Sequence, residues 1–361
     1  MSAASHLTWL ERLSPWPAEG FGLERMRTLL AELGQPQAGL PAVHVVGTNG
    51  KSTTTRMTEE LLRAAGLATG AYLSPHVRTW SERIRVAGTE VDLEPVLDRV
   101  RTPAERVRAT QFEVLTAAAL VAFREAEVAA AVIEAGLGGR YDATNVLDAT
   151  RVVVLTNVSL EHTEVLGATR EAIAAEKLAV TLPGSTVVLG EGEWKAAALA
   201  AGAGAVIVEE GGAAPLAAAA ASAFLGRAVD PSPLDAVALP GRLEHRAGEI
   251  RDGAHNPAGV RWLVKRLPAA DYTVMASILS DKDVDRMLEP LAALGKRFVA
   301  CRSSNARALP AAELARRAGR WFPHVEARDD PREALALAHA LGEPVLVTGS
   351  LYLLADLEAG A

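Results

Sequence analysis

Cysteine is almost missing from this chain: Cys301 is the only one in 361 residues. A single thiol closes no intrachain disulfide and builds no cysteine-based metal site. It follows the apolar run Phe298-Val299-Ala300 and reads as a small core residue. Excess positive charge is missing too. The net charge is −7, which argues against general nucleic-acid binding and leaves room only for a local basic pocket. No apolar run reaches the roughly 18 residues of a membrane span. The Ala-rich stretch 213–225 comes nearest and is broken by Pro215 and Ser222. The opening MSAASHLTWLERL has no basic segment followed by an apolar one, so no signal peptide is expected. No repeat of 20–50 residues is visible. The expectation is a soluble, cytoplasmic protein that binds neither membrane nor nucleic acid and acts as a monomer.

What is present is ordinary in amount and specific in pattern. Apolar residues make up 49% and charged residues 22%, and the length suits two domains. The most informative stretch is VVGTNGKS at 45–52. An apolar run, Ala42 to Val46, enters Gly47-Thr48-Asn49-Gly50-Lys51-Ser52-Thr53, and helix formers continue to Ala65 before Gly66. That order reads as strand, glycine turn, helix. Glycines let backbone N–H groups converge, the helix N-terminus adds partial positive charge, and Lys51 adds a full one. Polyphosphate is the natural ligand of such a cradle. The usual spacing G-x-x-x-x-G-K-[ST] would need Gly where this chain has Val45, and a bare GxxGKS also occurs as an ordinary strand-to-helix turn.

Short apolar runs alternate with amphipathic stretches. Strands are predicted at 42–46, 69–73, 129–134, 152–157, 186–189 and 205–208, with helices at 51–65, 92–108, 112–126 and 168–180. This alternation is the pattern of a parallel sheet flanked by helices. Residues 195–233 turn Ala- and Gly-rich and end in Asp230-Pro231-Ser232-Pro233, where a domain boundary is placed, although part of the stretch suits a helix. The alternation then restarts, with helices at 257–267, 283–294, 310–319 and 350–357 and strands at 272–277, 297–301 and 344–348.

Several polar residues stand just beyond the carboxyl ends of these runs, the edge where open α/β sheets bind ligands. Ser74 follows one run, Glu134 closes another before Gly136-Leu137-Gly138-Gly139, and Thr156, Asn157 and His162 follow a third. Mg²⁺ prefers carboxylate, hydroxyl and phosphate oxygens, and an acid closing an apolar strand is costly unless paired or metal-bound. Glu134 is therefore the candidate carboxylate, with a salt bridge to Arg140 or Arg83 as the plainer reading. Lys177 has apolar flanks on a helix, where a lysine ordinarily snorkels to solvent. Asp252-Gly253-Ala254-His255-Asn256-Pro257 suits an Asx turn with a helix cap, and also a polar ligand.

Taken together and in order, these segments resemble the folylpolyglutamate synthase/dihydrofolate synthase family of the Mur ligase superfamily. The resemblance rests on GLERMRTLLAELGQPQ at 22–37, GTNGK at 47–51, YLSPHVRTWSERIRV at 72–86, IEAGLGGRYDATNV at 133–146 and TNVSLEHTEVLG at 156–167. AAEKLAV at 174–180, LPGRLEH at 239–245, DGAHNP at 252–257, SDKD at 280–283 and VTGSLYLL at 347–354 complete it.

The resemblance implies an α/β architecture. Residues 1–233 would be an ATP-binding, Mur-ligase-type domain with a P-loop-type, mostly parallel sheet. Residues 234–361 would be a smaller, Rossmann-like, glutamate-ligase domain. Gly47 to Thr53 would hold ATP, with Gly50 and Lys51 on its phosphates. Ser74, Glu134 and His162 would belong to Mg²⁺ sites together with Ser52 or Thr53. Lys177 would be the family's carbamylated lysine, its carbamate helping to hold the second Mg²⁺. Arg242, Asp252, His255 and Asn256 would reach the nucleotide from the second domain, with Lys51, Lys177 and His255 as the catalytic group. Lys282 and Ser350 match positions near the substrate cleft.

The implied activity is ATP-dependent amide formation through an acyl phosphate, with L-glutamate joining a folate or dihydropteroate. Arg78, Arg83, Arg85 and Arg140 suit such anionic substrates. The chain departs from the family at Ser52, where glycine is usual, at Ser81 in place of Asn, and at Glu161 in place of Asp. Lys51-Ser52-Thr53 is the pattern of the cell-wall precursor ligases. A ligase acting on a UDP-muramyl precursor, or a nucleotide-binding protein without ligase activity, therefore remains an alternative at this point.

Overall fold

The computed structural model describes residues 5–17 and 20–359; the first four residues of the stretch read above for a leader lie outside them. Contacts divide the chain into two units, Met1–Val237 and Ala238–Ala361.

In the first unit the six expected runs all form strands of one sheet. They are β1 Ala42–Val46, β2 Thr69–Tyr72, β5 Ala130–Glu134, β6 Thr150–Leu155, β7 Thr186–Leu189 and β8 Ala205–Val208. Two further strands, β3 Ile84–Val86 and β4 Thr89–Glu90, extend it. The order is β4-β3-β2-β5-β1-β6-β7-β8, parallel from β2 to β8 and antiparallel between β2 and β3 and at the β3–β4 hairpin. That hairpin turns on Ala87 and Gly88, both with positive φ, 49° and 83°. Such a two-residue turn follows strand twist but normally takes Asn or Gly first, so Ala87 conceals it in the sequence.

Both faces of the sheet are covered, which is why its strands read as unbroken apolar runs. Val43 and Val45 of β1 pack with Leu61 and Leu62 of the helix Lys51–Ala64 on one face. Across the same layer lie Leu216, Ala217, Ala220 and Ala221 of the helix Ala213–Leu225. Part of the Ala-rich stretch is thus a core helix, as its alanine content allows. Small side chains let its backbone come close to the helix beside it. On the other face the helices Leu93–Val107 and Gln111–Glu125 cover Tyr72, Ala131 and Ile133, and the helix Arg170–Leu178 covers Val153 and Leu155. The family-like N-terminal helix appears as Glu24–Glu32.

The second unit holds a six-stranded sheet. Its strands are β9 Glu244–Arg246, β10 Glu249–Arg251, β11 Thr273–Ala276, β12 Arg297–Ala300, β13 His324–Ala327 and β14 Val345–Thr348, in the order β13-β12-β11-β14-β10-β9. All neighbours are parallel except the β9–β10 hairpin. Helices on either side complete a doubly wound, Rossmann-like layer structure. Cys301, directly after β12, is fully buried, and burial pushes its thiol well above the usual range.

Candidate active site

The phosphate loop starts where β1 ends. Gly47 has φ 145°, and a Cβ there would fall 1.9 Å from Thr156 Oγ1, so only glycine fits. Gly50, at φ 82°, opens the helix Lys51–Ala64 and supplies no side chain to cap it. The first helical amides are thereby left for an outside acceptor. Asn157 braces the loop: its Oδ1 accepts from Asn49 N–H at 3.1 Å, and its Nδ2 donates to Asn49 O at 2.9 Å. Thr48 N–H donates to Asn157 O at 3.0 Å, and Thr48 Oγ1 accepts from Ser159 N–H at 3.0 Å. Lys51 is half-buried and donates to Thr48 O at 3.3 Å.

Three adjacent strands, β2, β5 and β1, bring the candidate metal ligands to the same edge. Glu134 is buried at the end of β5. Its Oε1 accepts from Ser52 Oγ at 3.1 Å, and its Oε2 accepts from Ser74 N–H at 3.1 Å. Ser52 is buried and faces this carboxylate, whereas Thr53 is half-buried. The salt-bridge reading of Glu134 loses its first partner, because Arg140 pairs with Glu176 at 3.1 Å. Arg83 donates to His76 Nδ1 at 2.9 Å and lies over Trp80, and Arg85 is engaged by the buried Glu59.

A carboxylate and a hydroxyl are hard oxygen donors and suit a Mg²⁺-like ion. Among the described residues no three His, Cys, Asp or Glu side chains form a metal cluster. Such a donor set fits an ion that takes a few protein oxygens and completes its shell with phosphate and water.

Lys177 does not snorkel. Its side chain is 2% exposed, and Nζ donates to Gly47 O at 2.8 Å and to Glu161 Oε1 at 2.9 Å. Burial lowers its pKa; Glu161 opposes that shift and Lys51 adds to it. Burial would raise the Glu161 carboxyl, but the charges of Lys177 and Lys51 hold it below its ordinary value. Glu161 is the functional neighbour that the sequence reading treated only as a departure. No local signal joins positions 161 and 177. His162 follows it, exposed and left-handed at φ 46°, at the start of the short helix Thr163–Leu166.

In the second unit Asp252 follows β10 and is buried. It accepts from Leu243 N–H and Ala254 N–H, both at 2.9 Å. Burial raises its pKa, and the nearby Arg242 guanidinium partly offsets this. Gly253 lets Arg242 approach, since a Cβ there would sit 2.9 Å from Arg242 Nη1. His255 Nδ1 lies 2.8 Å from Gly253 O. Asn256 caps the helix Pro257–Val264, its Oδ1 accepting from Gly259 N–H at 2.8 Å. Lys282 pairs with Asp281 at 3.1 Å, and Ser350 caps the helix Leu351–Glu358.

The Mur ligase middle domain model matches residues 45–197, the stretch that carries the loop, Glu134 and Lys177. The folylpolyglutamate synthase of Lacticaseibacillus casei is 32% identical over an alignment that covers 91% of this chain and 92% of that protein. The chain belongs to the folylpolyglutamate synthase/dihydrofolate synthase family. Solved structures of this family superpose over nearly the whole chain. One is Escherichia coli FolC in complex with DHPP and ADP, with a TM-score of 0.87, 28% identity, and 99% and 97% of the two chains covered. Another is the bifunctional Yersinia pestis folylpolyglutamate synthase/dihydrofolate synthase complexed with AMPPNP and a Mn ion. It has a TM-score of 0.86 and 28% identity, with 99% and 98% of the two chains covered. Family membership favours the folate-type reading over the cell-wall and non-ligase alternatives.

Proposed function

We propose that this chain is an ATP-dependent ligase that adds L-glutamate to a reduced folate and to dihydropteroate. The observation that carries the reading is the meeting, at one sheet edge, of an uncapped glycine loop, the Ser52–Glu134 pair and the buried Lys177. A carboxylate oxygen of the acceptor attacks the γ-phosphorus of ATP, and ADP leaves. The glutamate nitrogen then attacks the acyl carbon, loses a proton and expels inorganic phosphate. No enzymic nucleophile is needed. The protein's work is to position the reactants and neutralise charge.

Lys51 and the amides from Gly47 to Thr53 receive the phosphates. Ser52 and Glu134, with Ser74, whose N–H donates to Glu134, and with His162, would hold Mg²⁺, and the bond to Glu134 favours Ser52 over Thr53. The ion supplies charge neutralisation between phosphate oxygens. Lys177 is placed to carry a carbamate: its nitrogen is buried, and a neutral lysine amine reacts with CO₂. Arg242, Asp252, His255 and Asn256 are assigned to nucleotide binding. The partners are small molecules. Among the described residues no helix is long and apolar enough to cross a membrane. A cytoplasmic monomer is the proposed working form.

The test is ADP release by purified protein with Mg-ATP and L-glutamate. Release should require dihydropteroate or a reduced folate, and mass spectrometry should find the acceptor heavier by one glutamyl residue. Stimulation by a UDP-muramyl precursor instead would overturn the assignment.

A further inference from the structure

His44 is the one polar residue of β1, and it is 1% exposed. With period two it shares a sheet face with Ala42 and Val46, opposite Val43 and Val45. An unpaired imidazole there would be costly, and its Nε2 lies 2.8 Å from Thr144 Oγ1. The Thr144 hydroxyl has a single proton and donates it to Asp142 Oδ1 at 2.5 Å. Thr144 must then accept from His44, which fixes a neutral ring with its proton on Nε2. Burial lowers the His44 pKa to about 4, so the neutral form prevails around neutrality.

Asp142 passes this order outward. Its Oδ1 also accepts from Thr144 N–H at 3.0 Å, and its Oδ2 accepts from Leu137 N–H at 2.7 Å, so the carboxylate ties the start of the glycine loop to its end. The loop in turn lies on the helix Arg170–Leu178. A Cβ at Gly139 would fall 2.5 Å from Lys177 O, and Arg140 N–H donates to Glu176 O at 3.1 Å. Glu134 sits two residues before this loop, at the end of β5 beside β1.

We propose that His44 is a positioning residue: by donating to Thr144 it orients the Asp142 carboxylate, which holds the glycine loop 136–140 against the backbone of Lys177. The role rests on the ligase reading above. It adds a buried residue with no path to substrate, acting through two others. Without the His44 proton the Thr144 hydroxyl is free to turn, and Asp142 loses a fixed side-chain donor beside the backbone amides of Thr144 and Leu137.

The experiment uses the full chain with His44→Leu, His44→Gln, Thr144→Val and the double variant His44→Leu/Thr144→Val. Two readouts are taken: kcat and KM for glutamate-dependent ADP release, and hydrogen exchange of the Leu137 amide in protein without ligands. His44→Leu and Thr144→Val should each lower kcat about 10- to 100-fold, the range for groups that orient ligating side chains, with KM for ATP within about twofold. The double variant should lose no more than the worse single one, because both cut the same path. The glutamine amide can replace the Nε2 donor, so His44→Gln should recover most of the rate. Leu137 exchange should accelerate at least about tenfold in the two cut variants and stay slow in His44→Gln.

Wild-type kcat and protection in His44→Leu, additive losses in the double variant, or a glutamine variant as impaired as the leucine one would each overturn the proposal. If His44→Leu does not fold, Thr144→Val carries the same two readouts. If wild-type protein releases no ADP, the ligase reading fails on its own, and Leu137 exchange still decides whether His44 orders the loop.

Discussion

Lys177 Nζ stands 2.9 Å from Glu161 Oε1 and 2.8 Å from the carbonyl oxygen of Gly47, so one buried ammonium joins a helix to the first residue of the phosphate loop. Sixteen residues separate the charged pair and 130 separate the lysine from the glycine. The contact makes the lysine part of the loop's architecture as well as a candidate for chemistry. Carbamylation would put an anion where the ammonium meets Glu161, so it needs a cation close by.

Replacing this lysine separates the two roles. Lys177→Met keeps most of the volume but removes one partner of a buried ion pair, which destabilises by leaving Glu161 and the Gly47 carbonyl without their donor. Glu161, with a side chain 19% exposed, keeps access to water. Unfolding stability should therefore fall only moderately, by about 1–3 kcal/mol, while ADP release falls at least about 100-fold. Calorimetry and the coupled assay check this together. An active Lys177→Met would remove the lysine from the mechanism.

Lys51→Ala should also be inactive, for a different reason. The side chain is half-buried and makes one 3.3 Å contact within its own loop, so little stability depends on it. Its proposed partners are the phosphate oxygens of ATP. A kcat loss of about 100- to 1000-fold with an unchanged melting temperature is expected. Normal turnover in the folded variant would defeat the loop assignment.

His44 predicts a pH dependence of stability. Its folded pKa is about 4, against 6.5 in the unfolded chain. Between these values the unfolded state binds the extra proton, so stability falls as pH drops through that window. The contribution is fully present above pH 6.5 and exhausted below pH 4. The shift corresponds to about 3 kcal/mol as an order of magnitude. Urea unfolding of wild type and His44→Leu at a series of pH values isolates the term. The variant should lose less stability on acidification, and parallel curves would show that the histidine does not titrate as the fold requires.

The Ala-rich helix supplies a stability test far from the chemistry. Ala217 is fully buried against the helix Lys51–Ala64, so Ala217→Asp places an unpaired charge in the core. A loss of about 3 kcal/mol or more is expected, read as a large fall in melting temperature or as insoluble protein. A soluble variant with the wild-type transition would mean that Ala217 is not packed in the core.

Much of this fold was legible in one dimension. A parallel strand buried on both faces is apolar at most positions, so β1, β5, β6 and β7 announced themselves as short runs despite His44 in β1 and Glu134 at the end of β5, and the helices between them showed their periodicity. The phosphate loop was legible because its glycines and lysine are consecutive. Structure alone located β3, β4, β9 and β10, which are two or three residues long and rich in charge, and β13, whose alternating exposure hides it. Composition marked residues 195–233 as Ala- and Gly-rich ahead of a boundary and allowed a helix within them, but only the structure shows that Ala213–Leu225 packs into the core. The pairings of Lys177 with Glu161, of Ser52 with Glu134 and of His44 with Thr144 span 16, 82 and 100 residues. Local sequence determines which segments become strands and helices. Which side chains meet is decided by strand order, because neighbours in the sheet are distant in the chain.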